Sequence, residues 1–357
     1  MAFNINQKYM NKALKIFFLI ISLSLVGASC TTLSSSSKGV GAGIYKSTDK
    51  AVNWEQKVFV SKSDKGNLTI DNVNVNRIQF SPFDSNALYI TSPASGVFYT
   101  DNAAEVWSRI FDKSVNSLFI HRTKKDVLYV TSGNKIYKSD DNGKNWAEIY
   151  TEATPNAQMV DLVMDYNNTN IVWAISSSGV LLKSLDAGVS WQFVYKFSKA
   201  VSRIYLNKQG IMYVAMPSRG IWRSIDGGIT WVDTQAVLEK LVRKVGTFRQ
   251  LTFIPGQDNG FLYATPYGLF KTLNGGDDWT HIELVTPPQA VGINTLAVNP
   301  KDTNQIYYAI NNIIYYSSDA GTNWITRNSP ARQAVTALNI NPDDPSVMYL
   351  GASRLEK

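Results

Sequence analysis

Short apolar runs recur along this chain, each of four or five residues with a Tyr or Trp inside it and polar turns on both sides. β-branched and aromatic residues in runs of this length, bounded by Pro, Asn, Asp and Gly, are typical of strands joined by hairpins. A helical period competes only weakly, at 237–244. The seven runs lie at 87–91, 127–131, 171–174, 211–214, 261–264, 306–309 and 347–350.

A polar cassette recurs seven times between these runs: Ser or Thr, Asp or Asn two positions later, a small residue after two more, and Trp after three more. Asp and Asn side chains accept backbone N–H bonds of their own turn, and a small residue tolerates positive φ. We therefore expect the cassettes to hold turns, with each Trp packed across its hairpin. The acidic and aromatic members are Asp49, Asp141, Asp186, Asp226 and Asp319, with Trp54, Trp107, Trp146, Trp191, Trp231, Trp279 and Trp324.

Together the two patterns predict an all-β fold, because each repeat supplies four antiparallel strands and seven such repeats form a seven-bladed β-propeller. The first cassette, at 43–47, has no Tyr run before it, and the last run, at 347–351, has no cassette after it. These halves complement each other. We expect one propeller over 43–357, closed by a composite N-/C-terminal blade that leaves no open sheet edge.

The cassettes resemble the Asp-box, or BNR repeat, of sialidases, sortilin-type receptor domains, family 74 glycoside hydrolases and photosystem II assembly factors. The resemblance spans nearly all of the chain after residue 43. In those families the box lies at the blade periphery, away from the binding site, so the resemblance implies a structural role for the boxes.

The N-terminus predicts an exported protein. Residues 1–29 combine three lysines with the apolar run 16–26 and small residues, as in a secretory signal. The sole cysteine, Cys30, follows directly and resembles the lipidated residue of a bacterial lipobox; an ordinary signal peptide with an incidental Cys is the alternative. Thr31 after it favours the outer membrane where two membranes exist. Residues 30–42, rich in Ser and Gly, then form a flexible tether.

Basic residues concentrate on one predicted side of the ring. The net charge of +7 includes three lysines of the signal segment, so the rest is only mildly basic and carries no nucleic-acid signature. Strand counting nevertheless places several arginines in the loops between second and third strands or in the links between blades. Such a face would attract an acidic protein segment, although scattered solvated side chains are the alternative. The candidate binding residues are Arg203, Arg219, Arg243, Arg249, Arg327, Arg332 and Arg354.

Candidate chemistry is sparse, and we expect no catalytic residue, metal or cofactor. His121 and His281 lie far apart in sequence, and neither lies near a triad-like pattern. A sialidase would need an arginine trio and a Tyr-Glu pair, and a family 74 glucanase acts between two propellers. Asp71 and Asp161 precede inner strands and would supply a carboxylate pair for glycoside hydrolysis only at a suitable separation.

Two functions remain. The first is a membrane-tethered, non-catalytic scaffold that binds or assembles protein partners through its basic, loop-bearing face. The alternative is a glycan-binding or glycoside hydrolase-like propeller with Tyr267, Trp173 or Trp222 stacked on sugars, although both Trp residues fall within strands and suit the core. The long links 59–72 and 233–250 are further places for function.

Overall fold

The computed structural model describes residues 41–242, 245, 247–287 and 292–354. Within these residues, twenty-eight strands form seven four-stranded antiparallel sheets, and two more strands form a separate hairpin. The predicted seven-bladed propeller is confirmed. No helix in this part of the chain is long and apolar enough to cross a membrane.

Six blades each use four consecutive strands, and we number them 1 to 6 in chain order. From the inner to the outer strand they are β5–β8 (Arg77–Ser81, Asp84–Ser92, Gly96–Thr100, Ser108–Phe111), β9–β12 (Ser117–Ile120, Leu128–Ser132, Lys135–Ser139, Ala147–Thr151), β13–β16 (Met159–Met164, Val172–Ser176, Val180–Ser184, Gln192–Lys196), β17–β20 (Arg203–Leu206, Met212–Met216, Gly220–Ser224, Val232–Asp233), β21–β24 (Gln250–Phe253, Phe261–Thr265, Gly268–Thr272, Thr280–Ile282) and β25–β28 (Thr295–Val298, Ile306–Ile310, Ile313–Ser317, Ile325–Asn328).

The seventh blade, which we call the closing blade, joins the two ends of the fold. Its inner strands are β29 (Ala334–Ile340) and β30 (Met348–Ser353), and its outer strands are β1 (Gly43–Ser47) and β2 (Glu55–Gln56). β1 pairs with β30 over its whole length, from Gly43 opposite Ala352 to Ser47 opposite Met348. The expected composite blade is therefore confirmed.

The two long links contain structure that the sequence pattern left undefined. The link after the first box forms a hairpin of β3 (Phe59–Ser63) and β4 (Gly66–Thr69), whose tip is exposed. The link after blade 4 contains the single described helix, α1 (Gln235–Leu238), only one turn long.

Each box holds its turn with a buried Ser or Thr hydroxyl and a more exposed Asp or Asn side chain. In blade 4 the Ser224 hydroxyl donates to Asp226 Oδ1 (2.8 Å) and accepts the N–H of Gly228 (2.9 Å). Asp226 also accepts bonds from the backbone and hydroxyl of Thr230. In all five Ser-Asp boxes, hydrogen bonds from the residue four positions on lower the Asp pKa to about 2.

The small residue of each box sits in the left-handed region of backbone space. Gly143, Gly188 and Gly228 have φ of 83°, 93° and 94°, and the two boxes without Gly use Ala51 and Ala104 at 66° and 72°. Both alanines are completely buried. The turn geometry therefore persists even where an L side chain makes it costly.

Neighbouring blades are tied together by aromatic side chains. A Tyr of the second strand reaches the box of the next blade: the Tyr89 hydroxyl donates to Asn142 Oδ1 (2.6 Å), and Tyr129 donates to the carbonyl of Ala187 (2.9 Å). In the reverse direction the indoles of Trp107 and Trp146 donate to carbonyls of the preceding blade at 2.9 and 2.8 Å. These Trp rings thus bridge blades, beyond the packing across one hairpin that we expected.

The strand register corrects one detail of the sequence pattern. In blade 2, Leu128 pairs with the box residue Ser139, and the bridging Tyr129 is the next residue of the second strand. In blade 5, the residue that pairs with the box residue Thr272 is Phe261. Leu262 consequently takes the position of the bridging Tyr in blade 5. Tyr263, one residue further, packs instead with the cluster shared with blade 4.

Candidate functional site

The inner strands of all seven blades surround a central channel with a cavity of about 440 Å³. One register position, near the start of each inner strand, holds six different residue types in the seven blades: Arg77, Ser117, Asp161, Arg203, Gln250, Thr295 and, after a bulge, Ala337. Box positions, in contrast, hardly vary. The channel is therefore where the repeats differ chemically.

Antiparallel pairing places the beginnings of the inner strands on the same side of the ring as the loops between second and third strands. The links between blades lie on this side too. We call it the basic face and define it by Arg203, Arg219, Arg249, Arg332 and Arg354. Arg219 follows β18, Arg332 lies in the link before β29, and Arg354 follows β30; all three are exposed.

Asp161 forms the centre of a buried polar network in the channel. It is 5% exposed, and its carboxylate accepts bonds from the Ser117 hydroxyl (2.5 Å) and from the backbone N–H of Leu162 (3.1 Å) and Ile204 (3.3 Å). Arg77 donates to Ser117 Oγ at 3.1 Å, and its Nη2 lies 3.6 Å from Asp161 Oδ2. One carboxylate thus connects blades 1 to 4 and neutralises Arg77.

The other two channel arginines have no such partner. Arg203 begins β17 and Arg249 immediately precedes β21, so they line the channel from blades 4 and 5. Neither forms an ion pair with any residue that the structure describes. Tyr205 of blade 4 also lines the channel, and burial raises the pKa of its hydroxyl.

Two of the remaining predicted arginines do not join this group. Arg327 lies in the outer strand β28, half-buried, with its guanidinium carbon 4.9 Å from the centre of the Tyr316 ring. Tyr316 packs against the core shared with the closing blade, so Arg327 takes part in packing between blades. Arg243 lies outside the described residues, as do Cys30, the signal segment and all but the last two residues of the tether.

The two candidate carboxylates are separated by the fold. Asp161 faces the channel, whereas Asp71 lies in the link before β5, is buried, and accepts a bond from Thr69 Oγ1 (3.0 Å). Among the described residues that line the channel, Asp161 is the one carboxylate. Glycoside hydrolysis by the usual mechanism requires two.

The aromatic candidates for sugar stacking are largely enclosed. Trp173 is 4% exposed and Trp222 packs against the same core between blades 3 and 4, while Tyr267 is half-buried in the loop after β22. His121 Nδ1 accepts the N–H bonds of Thr123 and Lys124 and so fixes a turn. In the described ranges no group of His, Cys, Asp and Glu side chains is arranged to hold a metal ion.

Arg77 and Ser117 were absent from the sequence-based site. A signal for Arg77 existed, because it begins an inner strand as Arg203 does. Its pairing with Asp161 was not visible, since the two residues lie on blades that are not adjacent.

Comparison with known proteins gives two groups of relatives. The family described as "Photosynthesis system II assembly factor YCF48" matches residues 25–215 and 208–353. A xyloglucanase of Paenibacillus sp is 24% identical over 346 residues, covering 88% of this chain and 32% of that protein. Photosystem II assembly protein Ycf48 of Thermosynechococcus vestitus is 27% identical over 172 residues, covering 46% of this chain and 45% of that protein.

This chain therefore aligns with less than half the length of either relative. Among solved structures, one titled "YCF48 bound to D1 peptide" superposes with a TM-score of 0.60 at 12% identity, covering 90% of this chain and 99% of that one. At 12% identity, this similarity is evidence for the fold alone.

Proposed function

This chain belongs to the photosystem II assembly factor YCF48 family, and we propose on that basis that it is a non-catalytic scaffold that holds a protein partner on its basic face. The observation that carries the proposal is the cluster of arginines there, of which Arg203 and Arg249 lack a carboxylate partner in the described structure. The solved YCF48 structure with a bound D1 peptide provides a precedent for peptide binding by this fold.

The partner's chemistry follows from the arginine side chains. A guanidinium presents a planar fork of donors that matches carboxylates, so an extended segment rich in Asp or Glu suits the face better than a neutral sugar does. Attraction of this kind is screened by salt, with a screening length of about 8 Å at physiological ionic strength.

The test is capture of partners by the tagged full-length protein from its native membranes, followed by mass spectrometry. Replacing Arg219 and Arg332 with Glu should abolish capture while the melting temperature stays nearly unchanged, because both side chains are exposed. Lys124 and Lys144 are exposed on the opposite side of the ring and supply the matched control for the same charge change. Capture that survives the arginine reversal and added salt would refute the proposal.

A glycan-directed function is the second candidate, because a xyloglucanase aligns over 88% of this chain. Asp161 is the one carboxylate among the described residues that line the channel, which weighs against hydrolysis, and the enclosed Trp173 and Trp222 weigh against stacking of sugars. Competition of capture by soluble xyloglucan oligosaccharides, with no effect of the arginine reversal, would favour this second function.

We further propose that Cys30 carries the lipid that anchors the propeller to a membrane, with the outer membrane favoured if there are two. The support is sequence alone: Cys30 is the sole thiol, and it follows an apolar run and three small residues. Metabolic labelling with a lipid probe should mark the wild type and not Cys30→Ala. A labelled mutant would overturn the assignment.

A further inference from the structure

The charges of the channel are unevenly distributed around its wall. Arg77 on blade 1 is neutralised by Asp161 of blade 3, through Ser117 of blade 2. The unmatched positive charge therefore lies on the other part of the wall, where Arg203 and Arg249 extend from blades 4 and 5.

The nearest polar neighbour of Arg249 in the chain, Gln250, is already engaged between blades. The Gln250 amide donates to the carbonyl of Leu296 (2.9 Å) and accepts its N–H (3.0 Å), which joins blade 5 to blade 6. Gln250 thus has little capacity left for a ligand. The guanidinium groups of Arg203 and Arg249 are the donors in this part of the channel that remain without an ion-pair partner among the described residues.

Arg249 lies directly against the backbone of the next link. A Cβ atom on Gly292 would be 3.3 Å from Arg249 Nε and 3.4 Å from its Nη2, tighter than ordinary contact. The absence of a side chain at Gly292 leaves room for the guanidinium to lie beside the channel. A side chain at position 292 would require the Arg249 guanidinium to shift by a few tenths of an ångström.

We propose that the part of the channel between blades 4 and 5 binds a single oxyanionic group, a carboxylate or a phosphate, between Arg203 and Arg249. Two arginine forks facing one cavity match the paired oxygens of such a group. The cavity, at about 440 Å³, falls within the range of small-ligand pockets. This inference rests on the proposed function, since it names the chemical group that the basic face receives.

Two sources of the anion are distinguished by calorimetric titration of the full-length protein at low salt. Inorganic phosphate and succinate represent a free anion, and a synthetic acidic peptide with an amidated C-terminus represents a partner's side chains. We expect saturable binding of at least one probe, weakened at least tenfold by the double variant Arg203→Gln, Arg249→Gln. The control variant Lys124→Gln, Lys144→Gln makes the same charge change on the opposite side and should bind within twofold of wild type.

The single variant Arg249→Gln keeps the test decisive if the double variant unfolds, because Arg249 is exposed and its loss should not disturb the core. Binding that is absent for all three probes, or lost equally in the lysine control, would overturn the inference. Capture of a protein partner without binding of any probe would refute the channel site and leave the proposed function standing. Binding of a probe without capture of any protein partner would support the channel site and refute the proposed function.

Discussion

Replacing Ser224 with Ala would remove the hydroxyl that organises one box while leaving its carboxylate in place. Ser224 is 1% exposed, and its Oγ is the acceptor for the backbone N–H of the buried Gly228. A second bond, from the N–H of Asp226 at 3.4 Å, is long enough to contribute little. The hydroxyl's bond to Asp226 Oδ1 (2.8 Å) is also lost, but that carboxylate is exposed, so water can replace the donor. The predicted effect thus comes mainly from one buried donor left without a partner.

The expected cost is about 1–3 kcal/mol of unfolding free energy, the usual penalty for a buried polar group that loses its hydrogen bond. Equilibrium unfolding in urea, followed by tryptophan fluorescence, should show a lower midpoint with an unchanged slope, because the surface exposed on unfolding stays the same.

The chain itself offers the control, Ser224→Thr. In blade 5 the box uses Thr272, whose Oγ1 accepts the N–H of Gly276 (2.9 Å) and donates to Asn274 Oδ1 (3.0 Å). Threonine at 224 should therefore lose less than half as much stability as alanine. Equal losses for the two variants would show that packing, and not the hydrogen bond, accounts for the effect.

Three further outcomes follow from the repeat. Ala187→Gly should stabilise the fold by about 0.5–1 kcal/mol in thermal melts, because Ala187 has a φ of 57°, where an L side chain is strained. Gly227→Ala should destabilise the fold: Gly227 has a φ of 76°, and a Cβ there would meet no atom within 4 Å, so backbone strain alone would account for the loss. The box aspartates have a folded pKa of about 2, below the unfolded value of about 3.9, so their contribution is complete above the unfolded pKa and is lost as pH falls towards 2; a melting temperature constant from pH 5 to pH 2 would contradict this. Deleting residues 335–357 removes nearly all of both inner strands of the closing blade and should destabilise the whole ring, so a cooperative melt at the wild-type temperature would be evidence against closure.

The fold was predictable because the residues that form each box turn lie close together in the sequence. Ser, Asp and the small residue of a box contact one another within five positions, as in Ser224, Asp226 and Gly228. Local spacing therefore revealed the hairpins, and their number gave the blade count. The complementary ends at 43–47 and 347–351 then predicted closure, because an unmatched half-blade at each end has one obvious partner.

The site was only partly predictable, since it depends on residues from different blades. Counting strands placed Arg203 and Arg249 on the basic face, but the contact between Arg77 and Asp161 joins positions more than eighty residues apart and leaves no mark in local spacing. For Arg327, the position in the chain suggested the basic face, and the structure shows its side chain packed on Tyr316 between blades. The hairpin β3–β4 was hidden because its tip is polar and carries no periodic signal.

The box and the inner strand of each repeat therefore have different constraints. Box residues bond within their own turn and hold the next blade, as Tyr129 does through Ala187, so every blade needs nearly the same chemistry there. The channel-facing register position near the start of each inner strand makes no contribution to those bonds, and it holds a cation in two blades, an anion in one and neutral groups in the others. A ring stabilised by its boxes can thus tolerate unmatched charge in its channel. Two arginines of the channel, Arg203 and Arg249, have no ion-pair partner among the described residues, and no box turn depends on either of them.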